Sequence, residues 1–233
     1  MSIDAATPTN PLQHYFDNNP GRLLVKWRHY LDIYHRHFER FRGRSPTVVE
    51  VGVYHGGSLE MWKSYFGDGA RIVGVDVNPR LRDLGVPGIE IIVGDQGDRA
   101  FLARLAAQVG PIDILIDDGG HTMPQQIATV ETLYGAVAPE GVILVEDTHT
   151  SYWREYGGGL RANFSFMQFA KHLVDELNAY HSRDPQSFAP GPFTQGTRSI
   201  HFYDSIVVIE KGPHPRPEEI RSGAPSFPME TPM

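Results

Sequence analysis

Five short apolar segments in the middle of the chain restrict the folds that it can adopt. They lie at Thr47–Val53, Arg71–Val77, Ile89–Val93, Ile112–Ile116 and Val142–Val145. Runs such as IVGV, IDILI and VILV are apolar almost throughout, which is typical of parallel strands that are covered on both faces. Because helical segments separate these runs, the pattern predicts an α/β fold with a doubly wound, mostly parallel sheet.

The segments on either side of this core differ in pattern. Apolar residues at three- and four-residue steps predict a helix over Arg22–Arg42, after an irregular polar arm at residues 1–20. Further helices are expected at Leu59–Phe66, Asp98–Val109, Pro124–Val137 and Ser165–Ala179, followed by a long loop at His181–Thr197 and a hairpin of Ser199–Tyr203 and Ser205–Ile209. We therefore expect one globular domain, with an N-terminal arm and helix at 1–43, the main domain at 44–211 and a Pro-rich tail at 212–233.

The composition excludes several classes of function. Lys and Arg number 21 against 28 Asp and Glu, so the net charge of −7 disfavours binding to nucleic acid. The chain has no cysteine, which removes disulfides, thiolate metal sites and cysteine nucleophiles. It also lacks a long apolar run that would span a membrane and a signal-peptide pattern at its start, so we expect a cytoplasmic protein.

Acidic residues follow two of the predicted strands. The segment IDILIDDGGH ends in Asp117, Asp118 and His121, and GVILVEDT ends in Glu146 and Asp147. In an open parallel sheet the carboxyl ends of neighbouring strands face the ligand crevice, so these side chains should converge. Several carboxylates beside an imidazole suit a hard divalent cation with a base next to it.

A second set of residues suits a nucleoside. The sequence VEVGVYHGGS places three glycines between a strand and a helix, where backbone N–H groups can approach a ligand. Its spacing differs from the GxGxxG dinucleotide motif. Asp76 and Asp95 end the next two strands, in positions to accept from ribose hydroxyls and from an adenine amino group. Together these features predict a nucleoside clamp without a pyrophosphate cradle.

Taken together, these motifs resemble those of class I S-adenosylmethionine-dependent methyltransferases. More narrowly, the DDGGH and EDT pair, the late HFYDSIVVIEK segment and the early KWRHYLDIYHRHFERFRG segment are similar to metal-dependent sugar O-methyltransferases. The resemblance covers residues 22 to 212. It implies a Rossmann-like methyltransferase fold with seven strands, in which the C-terminal hairpin is antiparallel.

The resemblance also assigns roles to individual residues. The methionine part of S-adenosylmethionine is expected to lie among Glu50, Gly52, Tyr54, Gly56 and Ser58. Asp76 would hold the ribose, Asp95 and Gln96 would flank the adenine, and Asp117 would lie near the methionine amino group. Mg²⁺ would be held by Asp118, Glu146 and Asp147, with His121 as the general base.

The expected reaction is methyl transfer to a hydroxyl of a small saccharide or glycoside. A cation that chelates two acceptor oxygens would orient them and stabilise the developing alkoxide, and a nearby histidine would remove the proton. His149 is a rival base or a contact for the acceptor. Tyr152 and Trp153 follow it and suggest, with Gly157–Gly159, an aromatic flap over a sugar.

Other functions stay open at this stage. A phenolic or catechol acceptor is a variant of the same reaction. An Fe(II) oxygenase would need a second histidine ligand, which only His149 offers near His121. A non-catalytic cofactor-binding protein is a further alternative. The aromatic N-terminal helix is compatible with packing on its own sheet or on a second subunit, so a homodimer is also an open alternative.

Overall fold

The computed structural model describes residues 10–84 and 87–227 and forms a central sheet with helices on both faces. The strands are β1 (Thr47–Val51), β2 (Arg71–Asp76), β3 (Ile89–Val93), β4 (Ile112–Asp117), β5 (Val137–Val145), β6 (Thr197–Tyr203) and β7 (Ile206–Lys211). The helices are α1 (Pro11–Asp17), α2 (Tyr30–Phe38), α3 (Gly57–Phe66), α4 (Arg99–Val109), α5 (Met123–Leu133), α6 (Phe166–Leu177) and α7 (Pro192–Gly196). Short 3₁₀ turns lie at Glu39–Phe41, Pro79–Asp83, Tyr134–Ala136, Thr148–Tyr152, Arg154–Tyr156 and Ala179–His181.

The sheet has seven strands in the order β3-β2-β1-β4-β5-β7-β6. The first five strands in this order are parallel, whereas β7 is antiparallel to both β5 and β6. The order reverses between β1 and β4, which is where open α/β sheets form their ligand crevice. The predicted fold class, including the C-terminal antiparallel hairpin, is confirmed.

Alternating residues along the strands divide the core into two layers. Val48, Ile72 and Ile114 point to the layer that contains α1, α2 and α3, where Trp62 is fully buried. The residues next to them in sequence, among them Val49, point to the layer beneath α4, α5 and α6. Because successive strand side chains face opposite sides, continuous apolar runs are needed to fill both layers.

The N-terminal region differs from its prediction. The expected helix over Arg22–Arg42 begins only at Tyr30 and its α-helical part ends at Phe38. The expected irregular arm contains the helix Pro11–Asp17, which Asn10 caps by accepting from the backbone N–H of Leu12. Residues 1–9 of that arm lie outside the described residues. The periodicity failed here because the apolar residues before Tyr30 contact a cavity instead of one side of a helix.

Residues 19–29 form an irregular segment without helix or strand, which we call the strap. It crosses the N-terminus of α3, where the carbonyl oxygens of Arg22 and Leu23 lie 2.6 and 2.4 Å from the position that a Cβ on Gly57 would occupy. The Arg22 side chain binds Glu60 and donates to the carbonyl of Leu84. The strap is therefore fixed on α3 from several sides.

The later elements differ from the predictions mainly in their bounds. Strand β5 begins at Val137, five residues earlier than expected, and the segment predicted as a loop at His181–Thr197 contains α7. The described part of the Pro-rich tail, residues 212–227, forms no helix or strand, and residues 228–233 lie outside the description. Among the described helices, none combines the length and hydropathy needed to cross a membrane.

The close contact at Gly57 gives a test of the strap. In Gly57→Ala, the new Cβ would overlap two backbone oxygens, so the strap must shift at a cost of about 1–3 kcal/mol. We expect a melting temperature lower by about 3–10 °C and faster tryptic cleavage within the strap. Gly135→Ala is the matched control because its Cβ would meet no atom within 4 Å. Equal stability and equal cleavage of the two variants would contradict this placement of the strap.

Candidate active site

The strand register brings the predicted acidic residues to one edge of the sheet. Glu50 pairs with Ile116 across β1 and β4, so both strands end at the same level. Asp117 pairs with Val145, which places Asp118 and Glu146 side by side just beyond the strand ends. The convergence that the sequence predicted is therefore present.

A cavity of about 520 Å³ lies above these strand ends. The strap covers one side of it with residues Leu23 to Lys26, and the turn after β1 forms another side. At the base of that turn Gly52 has φ +96°, and a Cβ there would lie 1.9 Å from the carbonyl oxygen of Asp118. Only glycine allows the two turns to approach this closely.

Most residues predicted to bind a cofactor line this cavity, namely Gly52, Tyr54, Ser58, Asp76, Asp95 and Gln96. The structure places Glu50 and Asp117 behind the wall instead, where both are fully buried. Gly56 begins α3 in the left-handed conformation, at φ +85°. These three shape the wall of the cavity.

The two acids after β2 and β4 are held in different ways. Asp76 Oδ2 accepts from the backbone N–H of Val53 at 2.9 Å, and its Oδ1 accepts from that of Asn78. Asp117 Oδ1 accepts from Gln96 Nε2 at 2.7 Å, while its buried Oδ2 has no partner among the described residues. Burial raises the pKa of Asp117. Asp117 thus orients Gln96, whose Oε1 accepts from the backbone of Gly120.

Below the cavity, Lys26 lies among three carboxylates. Its Nζ is 2.5 Å from Asp118 Oδ2, 3.0 Å from both oxygens of Glu146 and 3.4 Å from Glu50 Oε1. Burial alone would lower the pKa of Lys26, but the three carboxylates raise it well above its usual value. Burial and the Asp118 carboxylate raise the pKa of Glu146, and the ammonium opposes that rise. Ser58 donates to Glu50 at 2.6 Å and completes this group.

A second group of possible metal ligands shares Asp118 with the first. His121 Nε2 lies 3.5 Å from Asp147 Oδ2 and 3.9 Å from Asp118 Oδ1. Tyr30 donates to Asp147 Oδ1 at 2.6 Å, and the Thr150 hydroxyl is within hydrogen-bonding distance of the carbonyl oxygens of both His121 and Asp147. These contacts hold the turns after β4 and β5 together.

Three residues around the cavities have strained backbone conformations. His121 has φ +55°, Asp147 φ +52° and Tyr54 φ +51°, a region that residues other than glycine rarely adopt. Strained conformations of this kind persist where the surrounding structure holds them, and they cluster at functional sites. Two of these residues, His121 and Asp147, belong to the acidic turns after β4 and β5.

A smaller cavity of about 360 Å³ adjoins the first. Asp118, Glu146 and Asp147, the three predicted metal ligands, all line it, together with Lys26 and Tyr30. Since Asp118 and Lys26 also line the larger cavity, the two cavities meet at these residues.

Aromatic side chains surround the opening of the smaller cavity. The His149 ring packs edge-on against Trp27 and Trp153, with ring centroids 6.1 and 4.6 Å apart. His149 Nδ1 makes a short hydrogen bond with Ser205 Oγ. Trp153, Tyr152 and Trp27 are about half exposed. His149 Nδ1 lies 3.9 Å from Asp147 Oδ1, so His149 and the Trp153 ring packed on it lie near the acidic group. Tyr152 ends the 3₁₀ turn that contains His149.

A separate cluster of His37, His201 and Glu210 lies between α2 and the C-terminal hairpin. Its groups are already paired, because His37 Nδ1 lies 2.8 Å from Glu210 Oε1 and Arg40 binds the same carboxylate at 3.0 Å. The hydrogen bond from His37 lowers the pKa of Glu210 to about 2. This cluster ties α2 to β7 and is remote from the cavities.

Sequence reasoning missed three residues of the site: Lys26, Tyr30 and Trp27. All three were assigned to one amphipathic helix, and their partners lie far away in the chain. Lys26, for example, meets Glu50, Asp118 and Glu146 across separations of 24, 92 and 120 residues. The KWRHY segment did contribute to the family resemblance, which was the one signal that pointed to these positions.

Comparison with known proteins identifies the family of the central region. Residues 49–148 match the sequence profile of a family described as Methyltransferase domain. The 8-demethyl-8-alpha-L-rhamnosyl tetracenomycin-C 2'-O-methyltransferase of Streptomyces olivaceus is 39% identical over 192 residues, which span 78% of this chain and 50% of that protein. Demethylmacrocin O-methyltransferase of Streptomyces fradiae is 33% identical over 77% of this chain and 47% of its own length.

A solved methyltransferase structure has a similar fold. MycE methyltransferase from the mycinamycin biosynthetic pathway, solved in complex with Mg and SAH, superposes with a TM-score of 0.78 at 30% identity. The match covers 87% of this chain and 55% of that one. This chain spans about half the length of the curated relatives that it matches. The resemblance to sugar O-methyltransferases drawn from the motifs is confirmed.

Proposed function

Because residues 49–148 form a methyltransferase domain, we propose that this chain transfers a methyl group from S-adenosylmethionine to a hydroxyl of a glycosylated small molecule, with the help of Mg²⁺. One observation carries the proposal: Asp118 lines both the larger cavity, which suits the nucleoside, and the smaller cavity with the acidic group. The methyl donor and the acceptor hydroxyl would therefore meet at Asp118.

The larger cavity fits S-adenosylmethionine in size and in chemistry. Its volume of about 520 Å³ lies within the range of small-molecule sites, roughly 300–1,000 Å³. The backbone fixes the Asp76 carboxylate against the cavity, where ribose hydroxyls can donate to it. Asp95 and Gln96 lie at the next strand end, as an adenine ring requires. The bound nucleoside would supply the electrophilic methyl group.

The smaller cavity fits a hard divalent cation. Its lining includes the carboxylates of Asp118, Glu146 and Asp147, and oxygen ligands are what Mg²⁺ prefers. Tyr30 restrains Asp147, and Gln126 donates to the backbone of Glu146 at 2.8 Å, so these turns are preorganised. A cation held there would orient two acceptor oxygens and lower the pKa of the reacting hydroxyl.

His121 is the residue best placed to take the proton of the acceptor. Its Nε2 faces Asp118 and Asp147, so the imidazole reaches the same oxygens as the carboxylates. His149 Nδ1 is hydrogen-bonded to Ser205 Oγ, and its ring packs against Trp153. We assign His149, Tyr152 and Trp153 to binding of the sugar or of its apolar aglycone.

The assignment to a sugar acceptor rests on the relatives and on the half-exposed aromatic side chains of Trp27, Tyr152 and Trp153. The Streptomyces olivaceus relative is named for a rhamnosyl substrate, and MycE has been solved with Mg, SAH and mycinamycin VI. Half-exposed aromatic side chains beside a polar group suit a ligand with an apolar body and hydroxyls. We accordingly expect a glycosylated natural product as the acceptor.

The proposed activity is tested with S-adenosylmethionine, Mg²⁺ and a panel of rhamnosides and glycosylated macrolides, with S-adenosylhomocysteine quantified by mass spectrometry. We expect turnover that EDTA abolishes and Mg²⁺ restores. Asp118→Asn should reduce the rate at least about a hundredfold, because a group that holds the cation is lost. Asp68→Asn, at an exposed aspartate, is the control. Undiminished turnover in EDTA would refute the metal-dependent mechanism.

The two candidate bases are separated by kinetics. His121→Ala should lower kcat by about a hundred- to ten-thousandfold, the range for loss of a general base, with little change in KM. His149→Ala should mainly raise the KM of the acceptor, because the ring packs on Trp27 and Trp153. The opposite pattern, with kcat lost only in the His149 variant, would transfer the role of base to His149.

A further inference from the structure

Lys26 is a buried lysine at the site to which the proposed mechanism assigns no role. Its side chain is only 2% exposed, and its ammonium contacts Glu50, Asp118 and Glu146. Within residues 10–84 and 87–227, no other Lys or Arg side chain lies within 4.0 Å of these three carboxylates. A single ammonium thus balances two buried carboxylates, those of Glu50 and Glu146, and the partly exposed carboxylate of Asp118.

Asp118 is shared between Lys26 and the outer group. Its Oδ2 contacts the ammonium at 2.5 Å, whereas its Oδ1 faces His121 at 3.9 Å. Glu146, the second predicted metal ligand in this set, directs both oxygens to Lys26 at 3.0 Å. Two of the three carboxylates that we assign to the cation therefore already bind a positive charge.

We propose that Lys26 is a positioning residue that competes with the divalent cation for Asp118 and Glu146 and so sets the affinity of the metal site. The inference rests on the proposed function, because it concerns the same cation. Like charges that share a carboxylate repel each other, and the repulsion is strong where water is excluded. In the absence of metal, the Lys26 ammonium holds the carboxylates together. When metal binds, the same ammonium lowers the affinity of Asp118 and Glu146 for the cation.

The proposal predicts a gain in affinity when the ammonium is removed. Lys26→Met keeps the apolar stem and removes the charge, so the dissociation constant for Mn²⁺, measured by titration calorimetry, should fall at least about tenfold. Lys26→Arg keeps the positive charge, so its dissociation constant should stay within about threefold of the wild-type value. Lys171→Met, at an exposed lysine on α6, is the control. Unchanged or weaker Mn²⁺ binding by Lys26→Met would overturn the proposal.

Thermal unfolding gives a readout that does not depend on activity. In EDTA, Lys26→Met leaves the buried carboxylates without a counterion, so its melting temperature should lie below that of the wild type. A saturating concentration of Mg²⁺ should raise the melting temperature more in Lys26→Met than in the wild type, because a tighter ligand stabilises more. An equal rise in both proteins would contradict competition.

A measurement on the wild-type chain covers the case in which Lys26→Met does not fold. The chain has four lysines, so labelling at Cε gives four NMR signals, and Lys26→Arg identifies that of Lys26. Addition of Mg²⁺ should shift this signal and leave those of Lys63, Lys171 and Lys211 in place. A Lys26 signal unmoved at saturation would overturn the proposal while leaving the metal site intact. Failure of the wild type to bind Mn²⁺ at all would overturn both proposals.

Discussion

The burial of one ammonium among three carboxylates is the constraint on which the rest of the site depends. Charged groups that leave water carry a desolvation cost of several kcal/mol each, which is offset only by close and well-oriented partners. Lys26 has such partners because β1, β4 and β5 end in register and the strap crosses above them. A shift of a single strand would leave an acidic group buried without a counterion.

The same arrangement joins the two halves of the site. The strap covers one side of the larger cavity with Leu23 to Val25, and the next residue, Lys26, contacts the acidic group. The close approach of Gly52 to the carbonyl of Asp118 locks the turn after β1 onto the turn after β4. Tyr30 and Thr150 extend this support to Asp147 and His121. The two cavities thus share the same supporting contacts.

The features of the fold and of the site that depend on local sequence patterns could be predicted from the sequence. Continuous apolar runs indicated the doubly covered strands, and the acids at the ends of these runs indicated one edge of the sheet, where Asp76, Asp95 and Asp118 line the larger cavity. The strap was predicted as helix because Leu23, Leu24 and Trp27 fit a helical period. Its conformation depends on contacts with Glu60, Gly57 and the distant carboxylates, and a local sequence pattern does not encode such contacts.

Glu50 and Asp117 were expected at the ligand and lie behind the wall of the larger cavity. A strand-end acid can face either the crevice or the core, and the sequence does not distinguish the two.

The central claim is that a divalent cation and the nucleoside occupy adjoining cavities that meet at Asp118. The most direct test is a crystal structure of the chain grown with Mn²⁺ and S-adenosylhomocysteine, with the anomalous signal of manganese locating the cation. We expect one strong peak bound by Asp118 together with Glu146 or Asp147, and the nucleoside in the cavity beside the strap. A peak elsewhere, or the nucleoside bound with no peak at these carboxylates, would contradict it.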